Sequence, residues 1–152
     1  MKKWFLAGLL LFLTACGGGG GNSNNAPASA LVNATGTWSG QYTSTVYGAQ
    51  TVTLNLMQQG NSITGTYAAS TGADGQITGT VSGDTTYVNL SVTAGNCSET
   101  GAGTGIIDDQ VTPNTMSFSY KGSSNCGGTE SGTGNLIRQP TGGGSSASNN
   151  VR

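Results

Sequence analysis

Between Gly36 and Arg138, apolar residues recur at every second position over short runs, and this period of two constrains the fold more than any other feature. It is clearest in Thr51-Val52-Thr53-Leu54-Asn55-Leu56 and in Thr86-Tyr87-Val88-Asn89-Leu90-Ser91-Val92. Ile63 to Tyr67, Ile77 to Val81 and Met116 to Tyr120 are shorter examples. A period of two places one set of side chains on one face of a strand and the other set on the opposite face. Gly60-Asn61, Asp74-Gly75, Gly83-Asp84 and Pro113-Asn114 fall between runs as turn signals. The pattern predicts eight strands, over 36–43, 50–58, 62–69, 76–82, 85–93, 101–108, 115–121 and 130–138. Composition agrees, since charged residues are 7% of the chain and glycine supplies 27 positions, with Thr, Ser and Asn filling the polar ones. A helical chain would carry more Glu, Lys, Leu and Ala. Short connections make sequence neighbours pair, so the expected fold is all-β: an eight-stranded antiparallel up-and-down barrel, with a β-sandwich as the alternative.

Ile63-Thr64-Gly65-Thr66-Tyr67 is echoed by Ile77-Thr78-Gly79-Thr80-Val81. In each, a glycine lies on the apolar face between two large side chains, where it permits bending or leaves room for a bulky residue opposite. Gly36-Thr37-Trp38 opens the first strand and Arg138 closes the last. This pattern resembles the calycin superfamily of lipocalins, fatty-acid-binding proteins and avidins. The resemblance implies that Trp38 and Arg138 form a barrel floor, the guanidinium lying over the indole in a cation–π contact. Gly36-Thr37-Trp38 and Gly65-Thr66-Tyr67 are also similar to avidin sequences. Biotin binding does not carry over, because avidins wall their ligand with several tryptophans and Trp38 alone follows the N-terminal segment. Ser44 falls near a serine position of avidins, but serine is too common here for that to carry weight.

The N-terminal segment has its own logic. Lys2-Lys3 is followed by the apolar run Trp4 to Leu13, too short to span a bilayer, which takes ~20 residues. Leu13-Thr14-Ala15-Cys16 is similar to the bacterial lipobox, in which the Cys is acylated through sulfur after cleavage before it. The resemblance implies a signal peptide over 1–15, a lipid anchor on Cys16 and attachment to a membrane. Gly17 in place of Asp favours the outer membrane in the enteric pattern, so the expected location is the outer membrane, facing the periplasm. Residues 16–30 read as the anchored Cys and a flexible Gly/Asn/Ser tether reaching at most ~50 Å. Residues 31–139 form the barrel domain, and 140–152 read as a disordered tail. Without residues 1–15 the chain keeps Lys121, Arg138 and Arg152 against six acids. That balance provides no footprint for nucleic acid.

With Cys16 assigned to lipid, Cys97 and Cys126 remain, an even pair in an exported chain and an expected disulfide. Both fall between expected strands whose loops emerge at the same end of a meander. A metal pair or redox couple is the alternative, without CxxC spacing or any histidine to support it. The absence of histidine removes Ser-His-Asp and Cys-His catalysis. Asp74, Asp84, Glu99, Asp108, Asp109 and Glu130 are read mostly as turn residues, with Asp108-Asp109 a solvated turn rather than a calcium loop. The run Thr100 to Gly105 lacks the Lys and the helix of a phosphate loop. No enzyme activity, cofactor or metal is expected.

Tyr42, Tyr67, Phe118 and Tyr120 share the apolar face with Met116, Leu54 and Leu90, as barrel core or as a ligand cup with hydroxyls near an open mouth. Tyr87 falls on the opposite face. The leading expectation is a non-enzymatic binding module for a small or apolar ligand. The alternatives are an envelope structural or protein-interaction module with a filled barrel (a small-barrel protease inhibitor among them), and a glycan-binding domain using exposed Tyr and Asn. A cavity favours the first, and a filled barrel with an exposed apolar patch favours the others.

Overall fold

The computed structural model describes residues 30–140 of the chain. The expected signal segment, Cys16, the tether up to residue 29 and the tail from residue 141 lie outside the described residues. Eight strands follow in order: β1 Gly36–Ser44, β2 Gly48–Gln59, β3 Ser62–Ala69, β4 Asp74–Ser82, β5 Thr85–Ala94, β6 Cys97–Asp108, β7 Thr115–Ser124 and β8 Gly128–Arg138. Each pairs antiparallel with the next, and β8 returns to β1 in the register Trp38↔Arg138 through Ser44↔Gly132. The sheet is therefore a closed up-and-down barrel, and the two-sheet alternative falls away.

Two-residue turns join β2 to β3 at Gly60-Asn61 and β4 to β5 at Gly83-Asp84, with Gly60 at φ 60° and Gly83 at φ 61°. The left-handed backbone matches the twist of the flanking strands and favours glycine. Asp74-Gly75, expected as a turn, instead opens β4, and the reversal lies over Ser70–Ala73. Gly72, at φ 87°, supplies the turn conformation there. Gly75 is an inward position, against which the backbone of Ser91 and Val92 packs too closely for any Cβ.

Strands β6, β7 and β8 are longer than their apolar runs, because Cys97–Thr100, Gly122–Ser124 and Gly128–Thr129 continue the ladders in polar residues. Cys97 is thus the first residue of β6 rather than part of a loop, whereas Cys126 lies in the β7–β8 turn. A disulfide joins them, with Cα atoms 5.6 Å apart. It ties the start of β6 to the β7–β8 turn at the end of the barrel that also carries the β1–β2 and β3–β4 turns. This end is the mouth.

The opposite end is the floor, where the core is densest. Trp38, Leu136 and Ile63 are fully buried there, together with Ile107. The lead-in before β1 closes it. Val32 N–H donates to Gly83 O (2.9 Å), Ala34 N–H to Gln58 Oε1 (2.7 Å), and the Trp38 indole N–H to Ala34 O (2.9 Å). Val32 and Ala34 are buried, whereas Leu31 is exposed. The Arg138 guanidinium lies 5.4 Å from the Trp38 ring centroid. Gly36, at φ 138°, makes room for it, since a Cβ there would stand 2.9 Å from Arg138 Nε. That pair of contacts gives the Gly36-Thr37-Trp38 motif a physical reason: the glycine admits the cation and the tryptophan receives it.

The disulfide closes a loop with a sequence separation of 29. Replacing Cys97 and Cys126 together by serine is expected to lower unfolding free energy by about 3.5 kcal/mol on the chain-entropy account. Urea titrations of the oxidised parent and the double variant measure it.

Candidate functional site

Above the floor the barrel is hollow. A cavity of about 270 Å³ opens at the mouth, near the lower end of the ~300–1,000 Å³ range of ligand pockets. Alternation on each strand decides what faces it. Leu54 from β2, Ile77 from β4, Val88 and Leu90 from β5, and Met116 and Phe118 from β7 form the apolar wall. Tyr42, Tyr67 and Tyr120 line it as well, so all four residues of the expected cup border one space. The Tyr42 and Phe118 rings stack with centroids 5.5 Å apart and planes 19° apart.

The large rings fit because glycines face them. A Cβ at Gly132 would collide with the Tyr42 ring, one at Gly134 with the Phe118 ring, and one at Gly101 or Gly122 with the Tyr120 hydroxyl. On β6 the inward positions Gly101, Gly103 and Gly105 follow one another between Glu99 and Ile107, so the middle of this strand contributes no side-chain volume to the interior.

Two carboxylates join the hydroxyls near the mouth. Glu130 of β8 is 4% exposed, and its Oε1 accepts a 2.9 Å hydrogen bond from the Tyr42 hydroxyl. Glu99 of β6 is half-buried and comes close to Glu130 and to the Tyr120 hydroxyl. Gly122 of β7 lies between the two strands, in register with Gly101 on one side and Glu130 on the other. The periodicity places Glu99 in a turn before the expected strand 101–108 and Glu130 at the first position of the expected strand 130–138. Their strands extend past the last apolar residue, which turns them inward. Strand parity carries the missing signal: counting back in twos from Ile107 reaches Glu99, and from Leu136 it reaches Glu130.

Burial sets the electrostatics. It raises the Tyr42 hydroxyl well above the ordinary phenol range, with the Glu130 hydrogen bond and charge adding to it. Tyr120 is raised likewise, by burial first and then by Glu99 and Glu130. Tyr67 is pushed up to about 12, again by burial and then by the two acids. All three stay protonated, and Tyr42 donates to Glu130. Burial also raises Glu99, reinforced by Glu130, while the nearby Tyr120 hydroxyl pulls the other way. That hydroxyl, though beside Glu99, has no partner at hydrogen-bond geometry. The two basic residues among the described residues are Lys121, on the outward face of β7, and Arg138, at the floor. The acids therefore face one another without a cation between them, an arrangement suited to sharing a proton or receiving a positively charged donor.

Other residues singled out by sequence lie elsewhere. Trp38 and Arg138 belong to the floor, and Tyr87 faces outward with 52% exposure. Ser44 is engaged locally, its Oγ accepting from the backbone N–H groups of Val46 (3.0 Å) and Tyr47 (2.9 Å). Asp108 and Asp109 accept from Gln110 in the β6–β7 loop at the floor end. Among the described residues no three His, Cys, Asp or Glu side chains come together as metal ligands.

A raised Glu99 means that the folded chain holds a proton more tightly than the unfolded one. Stability is then expected to fall as pH rises from the ordinary glutamate value of ~4.3 through the raised one. Glu99→Gln should flatten that slope and raise the melting temperature at neutral pH. Thermal unfolding of both proteins across this range measures it, and an unchanged slope in the variant would assign the effect to another group. No family model, curated protein or solved structure matches the chain.

Proposed function

We propose that this chain is an exported, lipid-anchored binding protein that holds a small, largely apolar ligand inside a calycin-like barrel and performs no chemistry on it. The observation that carries the reading is the cavity of about 270 Å³ with one open end. A packed interaction module has no use for such a space, and in a small barrel filled by side chains it would be absent. Its wall is aliphatic and aromatic, and its polar groups cluster near the opening, so an apolar body can enter first with a polar head left at the mouth. The Trp38 and Arg138 contact at the closed end supports the calycin likeness. Leu13-Thr14-Ala15-Cys16, behind two lysines and an apolar run, supports the anchor and an outer-membrane, periplasm-facing location.

Two outcomes test this. The full chain should incorporate labelled palmitate and sediment with membranes, and Cys16→Ser should abolish the labelling. Residues 17–152, exported behind a cleavable signal so that the disulfide forms, should carry a stoichiometric extra mass in native mass spectrometry that is lost on unfolding. Leu90→Trp places an indole in the cavity and should weaken retention of that mass by at least ~10-fold, equal to about 1.4 kcal/mol. A clean apo mass from several lysates, with no difference between parent and variant, would favour the protein-interaction reading.

A further inference from the structure

We propose that the ligand's head group is an organic cation, a protonated amine or its equivalent, received by the Glu99 and Glu130 carboxylates at the barrel mouth. The inference rests on the small-ligand reading above and adds the chemistry of its polar end. Three observations converge on it. First, two acids share one inward patch with no basic side chain among the described residues facing them. Isolated buried carboxylates are costly, and such groups are paired or neutralised in folded proteins. Second, the Tyr120 side chain is only 8% exposed, yet its hydroxyl is buried without a hydrogen-bond partner beside Glu99. A polar head seated between that hydroxyl and the acids would give it a partner. Third, the patch borders an apolar cavity too small for a polymer. It fits a head-and-tail molecule whose tail reaches Leu54, Leu90 and Phe118.

The surrounding groups favour an ammonium over an anion. Every titratable side chain facing the patch is acidic or phenolic: Glu99 from β6, Glu130 from β8, Tyr42 from β1, Tyr47 from the β1–β2 turn, Tyr67 from β3 and Tyr120 from β7. Gln50 of β2, held by the Thr71 hydroxyl at 3.0 Å, adds an amide. An ammonium donates to carboxylates through short charge-assisted bonds. A carboxylate or phosphate head would meet two like charges. The raised Glu99, held up by burial and by Glu130, agrees with this, since a cation can replace the proton that such a carboxyl holds.

The test uses residues 17–152 with the disulfide intact and three probes sharing one tail: octylamine, octanol and octanoate. Binding is followed by calorimetry and by chemical-shift changes at Leu90 and Phe118. Octylamine should bind at least ~10-fold more tightly than octanol, with octanoate weakest. Glu99→Gln and Glu130→Gln should each reduce octylamine affinity by about that factor and leave octanol affinity nearly unchanged, which controls for folding. Octylamine affinity should also fall as pH is lowered and the acids take up protons, while octanol affinity should not. Equal binding of amine and alcohol, or tighter binding of octanoate, would overturn this inference and leave the small-ligand reading standing. Calcium chloride binding at the same residues, with no preference for the amine, would overturn it as well. Failure of all three probes to bind would count against both readings.

Discussion

The bore of an eight-stranded barrel is the constraint on which the rest of this structure depends. Such a barrel is only just wide enough for side chains from its own strands, so each large ring inside needs an empty position beside it. Glycine provides that position. Tyr42 lies over Gly132, Phe118 over Gly134, and Tyr120 over Gly101 and Gly122. The glycine content of the folded part is thus a packing requirement as much as a turn requirement. Gly103 and Gly105 on β6 follow the same rule, with Val88 and the Tyr120 ring over the first and Thr86 and Met116 over the second.

This arrangement divides the molecule into two halves with different work. The floor half resembles an ordinary core, with fully buried Trp38, Ile63 and Leu136, capped by Val32 and Ala34 and by the guanidinium over the indole. The mouth half has few apolar contacts, a buried Gln50 and Glu130, and an unpartnered tyrosine hydroxyl. Burying such groups costs free energy without improving the packing, so their place in the fold is hard to explain by stability alone. The disulfide lies at the same end, where the apolar core is thinnest, and restricts the unfolded chain independently of packing.

Much of the fold was legible residue by residue. The runs at Thr51–Leu56 and Thr86–Val92 named their inward faces because β-branched and leucine side chains alternate with threonine and asparagine. Gly60-Asn61 and Gly83-Asp84 named their turns, since few other residues accept that backbone. Asp74-Gly75 misled because the same dipeptide suits a turn and an inward strand position with no room for Cβ. Glu99 and Glu130 were hidden for a related reason. Hydrophobic periodicity marks a strand only where it is apolar; Glu99 lies on the polar extension of β6 and Glu130 at the polar start of the expected eighth strand, where only parity identifies the inward face.

By itself the sequence determined the strand order, the antiparallel meander and the pairing of Cys97 with Cys126, because these follow from local periodicity, short connections and an even cysteine count. It also determined what the chain lacks, from histidine to any basic surface, since absence needs no coordinates. Only the tertiary structure decided that the barrel closes with a hollow upper half, that Val32 and Ala34 complete its floor, and that two acids from strands distant in sequence meet beside Tyr42 and Tyr120. Closure, cavity volume and the meeting of β6 with β8 across β7 are properties of all eight strands at once. No local pattern of residues encodes how much of a barrel's interior its side chains will leave unfilled.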